Sequence, residues 1–439
     1  MGLSVPQSKS TLSSEAARTP PPQNDSRKSS PRALAILSRR STLIPNPLSA
    51  VAGDLPDAAS HRLLRLYMDR VTPLLISLPK DLPNPFLQDV IPLAFSDTLI
   101  MNAILNVGGF ELDMDASSGE IETKRLKCYG AAINELKVAL TEWSTGVRHD
   151  PMRLLLATLL LCLHECLRGN EGGTLLGHLR ACRFFAQEVL TAQREGYSSD
   201  LTGTLLENYA YWEMCTNFSL LIGPDDLGAA CYFSAVHFND LRHYRTFGSY
   251  FGESSALYQS IPFISQLAVD RRAELTLRCD RGCEESFLAF KRKLEHWRDD
   301  VAVTISPPGK GESAHRYSII AGDIVRNAAL IFLYSSYYQD PTYVQTLAHP
   351  IVDEAIDMLR TVIHTPWMNT LFWPMVVLGT YAVTPLQQQR ILAFWPEGIP
   401  LVVRAVKMLQ WVWNRDSDAY GLEGLAKVIK DHDAHIVFG

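Results

Sequence analysis

The N-terminal part of this 439-residue chain lacks cysteine and aromatic residues. No cysteine occurs before Cys128, and no aromatic residue occurs before Tyr67. The net charge is −6, which disfavours broad contact with a phosphate backbone. With 47% hydrophobic and 20% charged residues, the composition is that of a large globular protein and excludes a mostly disordered chain.

The first 50 residues have a different composition from the rest. They contain eleven Ser, seven Pro and seven Lys or Arg but two acidic residues, so that they carry +5 and the remainder carries −11. Such a segment buries too little apolar surface to offset the entropy lost on ordering. We predict a disordered, weakly basic tail over residues 1–55 and a single helical domain over residues 56–439.

No segment predicts export or membrane insertion. The tail lacks the apolar centre of a signal peptide, and eight cysteines without a framework of spacings indicate reduced thiols inside a cell. Three prolines interrupt the charge-free run Thr361–Gln389, and its apolar centre, Leu371–Val383, is shorter than the ~20 residues of a span. We expect a buried helical hairpin there and no contact with a membrane.

The apolar residues recur with a helical period almost everywhere after residue 56. Asp150-Pro151 supplies an N-cap and a first helical residue, Leu154–Leu163 is nearly all apolar, and Gly169 is placed to end this central helix. No alternation of strands and helices is present, so we predict an all-α fold, a large irregular multi-helix bundle. Further helices are predicted at roughly 58–72, 96–107, 119–142, 173–191, 200–219, 287–297, 317–334, 343–362, 399–413 and 417–430.

The densest group of chemically reactive residues is Cys162, His164, Glu165 and Cys166. Each residue of a helix turns ~100°, so the two cysteines share a face while His164 points about 200° away from Cys162. The side chains of Cys162, His164 and Cys166 therefore cannot coordinate one metal ion together. A zinc-protease helix would need a second histidine where this chain has Arg168. We interpret the cysteines as small apolar core residues.

Two further groups have weak functional signals. Cys279 and Cys283 lack the second cysteine pair that a structural zinc site needs, although a redox-sensitive pair stays an alternative. The basic cluster Lys291–Lys293 shares its predicted helix with apolar residues, so we interpret it as a solvated face rather than an import or DNA-binding signal.

Two enzyme motifs are incomplete. Gly309-Lys310 lacks both the earlier glycine and the following Ser or Thr of a phosphate-binding loop. The candidate metal ligands Asp225-Asp226 and Asn239-Asp240 lack the remaining magnesium ligands of an all-α terpene cyclase. We therefore predict no catalytic residue, no cofactor-binding residue and no metal ligand, and we leave the ligand-binding residues unassigned.

The helical series resembles the fungal-specific transcription factor domain. The resemblance covers most of residues 60–420 and depends on the pattern of four segments: Leu63–Leu78, Asn84–Gly109, Asp150–Cys182, and the C-terminal stretch around Trp373-Pro374, Arg390 and Trp411-Val412-Trp413. It implies an all-helical regulatory domain in a nuclear protein, with no catalytic activity.

Members of this family typically carry a six-cysteine zinc cluster before the domain, and no such cluster precedes Cys128 in this chain. Two explanations stay open: a natural regulator that acts through protein partners, or an N-terminal cluster missing from the gene model. In either case DNA contact is expected only indirectly or through that missing cluster.

The resemblance leads to the hypothesis of a nuclear transcriptional regulator of a metabolic or secondary-metabolite pathway. Trp373, Trp395, Trp411 and Trp413 suggest a pocket for an apolar small molecule, and ordinary core packing is the alternative. An all-α enzyme of terpene-cyclase-like architecture is the competing hypothesis. A third alternative is a mitochondrial protein whose tail is a presequence.

Overall fold

The computed structural model describes residues 55, 57–77, 83–110, 119–170, 172–191, 198–222, 236–298, 312–396, 398–414 and 420–434. All regular secondary structure in these residues is helical, which confirms the predicted all-α, irregular multi-helix fold. The predicted tail lies outside the described residues apart from Leu55, as do Asp225-Asp226 and Gly309-Lys310. The domain boundary at residue 56 stays a prediction.

Each predicted helix is present, with its ends within about five residues of the predicted range, whereas the helix Ile261–Leu277 lies outside every one of those ranges. In the first half the helices are α1 (Ala58–Leu66), α2 (Thr72–Leu75), α3 (Pro85–Gln88), α4 (Val90–Ser96), α5 (Thr98–Gly108), α6 (Gly119–Ser144), α7 (Pro151–Leu167), α8 (Leu175–Thr191) and α9 (Ser199–Ile222). A π-helical turn, Tyr67–Val71, joins α1 to α2. No signal that we recognised in the sequence predicts this turn.

The second half begins with two single-turn helices, α10 (Phe238–Leu241) and α11 (Ser255–Tyr258). The longer helices that follow are α12 (Ile261–Leu277), α13 (Cys283–Glu295), α14 (Glu312–Tyr337), α15 (Pro341–Val362), α16 (Phe372–Thr380), α17 (Pro385–Leu392), α18 (Pro400–Trp413) and α19 (Gly421–Asp431). A 3₁₀ turn, Pro366–Thr370, lies between α15 and α16.

A polar cap followed by proline begins four of these helices. The side chains of Asn84, Asp150, Asp340 and Thr384 each accept a hydrogen bond from a backbone N–H of the first turn. The proline that follows each cap has no N–H to leave unpaired and has the φ angle that a helix needs. The predicted cap at Asp150 is thereby confirmed, with 3.0 Å between its Oδ1 and the Met152 nitrogen.

The core is one continuous apolar cluster within the described residues, and α9 runs through it. Every residue from Gly203 to Ser219 is buried, and α9 packs against α7, α8, α12 and α19. A helix enclosed on all sides carries apolar residues around its whole circumference, as α9 does. Polar groups on such a helix must find partners within the protein.

Residues His315–Tyr337 of α14 are long and apolar enough to cross a membrane, and 78% of their most apolar stretch is buried inside the fold.

Candidate functional site

An apolar cavity of about 200 Å³ lies beside α7 and α9. Its wall is assembled from segments that are distant in sequence: residues 71–77, the inner face of α7, the middle of α9, the turn at residues 249–250, and two C-terminal segments, 368–375 and 395–402. The cavity is therefore a product of the tertiary fold, and no single sequence motif defines it.

The α7 side of the wall is hydrocarbon. Leu156, Leu159, Leu160 and Leu163 all line the cavity. Their spacing of three, one and three residues places them on one face of the helix. No Asp, Glu, Lys, Arg or His contributes to the wall among the residues that the structure describes.

Other residues of the wall carry polar groups. The Tyr250 hydroxyl is buried and has no hydrogen-bond partner, and the Asn208 side chain lies beside it without reaching ordinary hydrogen-bond geometry. The indole Nε1 of Trp395, a third wall residue, is likewise a buried donor without an acceptor. The Tyr250 hydroxyl and the Trp395 nitrogen have almost no accessible surface, so neither of them faces the open space of the cavity.

The turn that carries Tyr250 is fixed by Glu207 of α9. This fully buried carboxylate accepts hydrogen bonds from the backbone N–H groups of Gly248, Tyr250 and Phe251 at 2.9–3.2 Å, and the Ser249 hydroxyl donates to it at 3.2 Å. Gly248 adopts φ +89°, a left-handed conformation that glycine accommodates without steric strain. Backbone hydrogen bonds such as Ser249 N–H to the Thr246 carbonyl and Gly252 N–H to the Gly248 carbonyl also stabilise the turn, and Glu207 accepts from the remaining N–H groups of residues 248–251.

Burial and hydrogen bonding act in opposite directions on the Glu207 carboxyl. Burial disfavours the charged form and raises its pKa from 4.5 to about 7, and the donors of the turn lower the pKa against that trend. The proton on Glu207 is therefore exchanged near neutral pH.

Further buried hydrogen bonds join the other wall segments. Ser77 donates its backbone N–H to the Ser249 carbonyl and its hydroxyl to the Pro366 carbonyl, both at 3.0 Å. The hydroxyls of Tyr211 and Tyr258 both donate to the carbonyl of Thr370, at 3.4 and 3.0 Å. The wall is thereby held at several points by polar contacts between segments that apolar packing alone would leave free to slide.

The structure buries the reactive group that the sequence singled out on α7. Cys162 lies with its Sγ 3.9 Å from the Cys182 Sγ, and Cys166 lines the cavity. Burial, reinforced by Arg125 and Arg168, lowers the pKa of His164 to about 3, so its ring is neutral. In the described part of the chain, no three His, Cys, Asp or Glu side chains converge where a metal ion could sit.

One of the four tryptophans suggested by the sequence, Trp395, lines the cavity. Trp373 is wholly buried against Phe218 and Tyr258. The indole of Trp413 donates to the Gly379 carbonyl at 2.9 Å, and Trp411 stacks on a histidine ring. Trp373, Trp411 and Trp413 therefore fit the alternative interpretation, in which the tryptophans pack in or against the core.

The remaining sequence candidates lie on the surface or apart from the cavity. Cys279 is exposed whereas Cys283 is buried, and both are free thiols. Asn239 and Asp240 are exposed on α10. The basic cluster Lys291–Lys293 lies on α13, where Lys291 faces Glu295 at 3.8 Å.

Sequence reasoning did not select Glu207, Asn208 or Tyr250. A signal was present for the first two, because Glu207-Asn208 is an adjacent polar pair inside the apolar sequence of α9. A helix that buries such a pair requires donors and acceptors from elsewhere in the chain. The partner segment, about 40 residues later, has no recognisable motif.

Comparison with known protein families identifies the family of this chain. The fungal specific transcription factor domain matches residues 62–439. The chain therefore belongs to this family, which supports a role in the regulation of transcription. No curated protein and no solved structure matches the chain.

Replacing Glu207 tests whether the turn depends on its carboxylate. Glu207→Ala leaves three buried N–H groups unpaired, and we expect the free energy of unfolding to fall by about 3 kcal/mol or more. Glu207→Gln keeps one acceptor oxygen and should cost about 1 kcal/mol. Denaturant titration of tryptophan fluorescence measures both. Glu354→Ala, at an exposed position of α15, should change the value by less than about 0.5 kcal/mol, and equal losses for Ala and Gln at 207 would contradict the assignment.

The raised pKa of Glu207 predicts a pH dependence of stability. Between pH 4.5 and about 7 the folded chain holds a proton that the unfolded chain releases. The contribution of this proton to stability is therefore complete below pH 4.5 and is lost as the pH rises through about 7. The free energy of unfolding of the wild type, minus that of Glu207→Gln, should fall over this interval. Parallel curves for the two proteins would show that Glu207 titrates normally.

Proposed function

We propose that this protein is a nuclear regulator of transcription in a fungal metabolic or secondary-metabolite pathway and that its apolar cavity binds a small-molecule ligand. Family membership supports the regulatory role. The observation that carries the ligand proposal is the cavity itself, which combines a hydrocarbon wall with a few buried polar groups, as ligand sites commonly do.

The chemistry of the wall favours binding over catalysis. Burial raises the pKa of the wall's thiol, Cys166, and of the phenols of Tyr211 and Tyr250, so these groups stay protonated at neutral pH and are poor nucleophiles. The wall also carries serine and threonine hydroxyls, but among the described residues it has no His, Asp, Glu or Lys that could activate them as a base. We infer that the protein acts through ligand and protein contacts and is not an enzyme.

The charge of the helical part of the chain bears on how the protein reaches DNA. Residues 51–439 carry a net charge of −11, so the helical part of the chain is electrostatically unsuited to a phosphate backbone. We infer that a protein partner, such as a DNA-binding regulator or the transcription machinery, or else a zinc cluster outside this sequence, links the protein to its target genes.

Filling the cavity should remove the regulatory response. Leu163 is half-buried on the cavity wall, so Leu163→Trp places a larger ring in the cavity without burying it fully in the core. In a strain lacking the gene, this variant should fail to restore wild-type transcript levels of the dependent genes, measured by RNA sequencing. Leu126→Trp is the matched control, because Leu126 is 52% exposed and does not line the cavity. Full restoration by Leu163→Trp would contradict ligand sensing.

Nuclear location is tested independently of the cavity. A fluorescent protein fused to the C-terminus of the complete chain should accumulate in the nucleus, because regulation of transcription requires it there. Co-localisation with a mitochondrial marker would instead support the presequence hypothesis for the N-terminal segment.

A further inference from the structure

Most polar side chains inside the cavity wall have no donor to offer an occupant. The hydroxyls that already donate to acceptors within the protein are those of Ser77, Tyr211, Ser249 and Thr370. The Tyr250 hydroxyl and the Trp395 nitrogen have no partner, but they also have almost no accessible surface. A ligand in the cavity therefore reaches none of these donors.

Asn208 and Trp212 of α9 differ from the other polar residues of the wall. Both line the cavity, and they are 8% and 5% exposed. The amide of Asn208 and the indole nitrogen of Trp212 make no hydrogen bond of ordinary geometry to the described residues, yet these atoms retain accessible surface. Because the fold encloses this part of α9, the space that they face is the cavity.

The two side chains lie on the same face of α9. Residues four apart in a helix are neighbours on its surface, with about 5–6 Å between their Cβ atoms. Leu205, three residues before Asn208, also lines the cavity. This face of α9 therefore places a polar pair, Asn208 and Trp212, beside a hydrocarbon surface.

The chemistry of the polar pair favours a hydroxyl group. The indole N–H can only donate, whereas the amide of Asn208 can both donate and accept. A hydroxyl accepts from an N–H and donates to a carbonyl oxygen, so it matches both side chains. A charged group at this depth would lose its hydration without gaining a counter-charge, because among the described residues the wall has no Asp, Glu, Lys, Arg or His.

The volume of the cavity limits the body of the ligand. A cavity of about 150 Å³ is large enough for benzene. This cavity, at about 200 Å³, is large enough for one six-membered ring with a short substituent. The wall also includes Asn369 and Pro396, which are exposed, so a ligand can enter from solvent and a longer group would extend through that opening.

We propose that the cavity binds a neutral alcohol or phenol with a small hydrocarbon body and that Asn208 determines this specificity. The ring packs against the leucines of α7, and the hydroxyl pairs with Asn208 and accepts from Trp212. In the unliganded protein the unpaired amide is unfavourable, and the hydroxyl supplies its missing partner. This inference rests on the proposed ligand-sensing function and specifies the chemical class of its ligand.

Two matched probes and one substitution test the specificity on the purified full-length protein. Benzyl alcohol carries the hydroxyl, toluene has the same ring without it, and Asn208→Leu replaces the amide with a hydrocarbon group of similar size. Isothermal titration and ligand-observed NMR measure the dissociation constants. That of benzyl alcohol should rise about fivefold to tenfold in Asn208→Leu, because a hydrogen bond is lost, whereas that of toluene should not rise.

The stability of the same variant separates a binding role from a structural one. Exchange of an unpaired buried amide for an apolar group of the same shape is neutral or stabilising. Ligand-free Asn208→Leu should therefore unfold at the melting temperature of the wild type or above it, measured by circular dichroism. A melting temperature several degrees lower would identify Asn208 as a structural residue and contradict the proposal.

Two further variants complete the test. Trp212→Phe removes the indole N–H and should also weaken binding of benzyl alcohol more than binding of toluene. Asn217→Leu is the matched control, because it makes the same exchange on α9 at a residue that does not line the cavity. Both dissociation constants should stay at their wild-type values in this control.

The outcomes separate this inference from the proposed function. An unchanged ratio of the two dissociation constants in Asn208→Leu overturns the ligand class. If neither probe binds but Leu163→Trp disrupts transcription, the class is wrong and ligand sensing stands. If neither binds and Leu163→Trp also restores transcription, the proposed sensing function itself fails.

Discussion

A carboxylate in an apolar interior needs hydrogen-bond donors, and the chain meets this need for Glu207 by turning back over α9. The backbone groups of residues 248–251 converge on the carboxylate, so a segment with little helical structure acquires a defined conformation. The same bonds hold Ser249 and Tyr250 at the cavity wall. One buried acid thus links the interior of the helical bundle to the shape of its cavity.

A cavity persists only where the surrounding structure cannot collapse into it. Apolar side chains that line a cavity lose part of the packing contacts that a filled core would give them, which is unfavourable. The bonds from Ser77 to Pro366 and from Tyr258 to Thr370 oppose collapse because they fix the spacing of the wall segments. A ligand of suitable size recovers part of this cost when it binds.

The helices could be predicted because their signals lie close together in the sequence. The cavity could not be predicted because it depends on contacts between distant segments. The cap at Asp150, the leucines after it and the left-handed Gly169 lie within 20 residues of one another, so their consequences can be derived from spacing alone. The bond from Glu207 to Tyr250 spans 43 residues, and nothing in either segment identifies the other. Tryptophan content predicted one wall residue, Trp395, because aromatic rings fill cores as readily as they line pockets.

The arrangement of the wall determines how an occupant could act on transcription. The segments at residues 71–77, 249–250 and 395–402 come from the beginning, middle and end of the helical chain, so a bound ligand contacts all three at once. Ligand binding shifts a conformational equilibrium only by the difference in its affinity for the two states. Relative movement of these segments changes the shape of the hydrocarbon wall that a ligand contacts. A ligand that packs against all three segments therefore distinguishes the two states, whereas a ligand that contacts a single segment does so less.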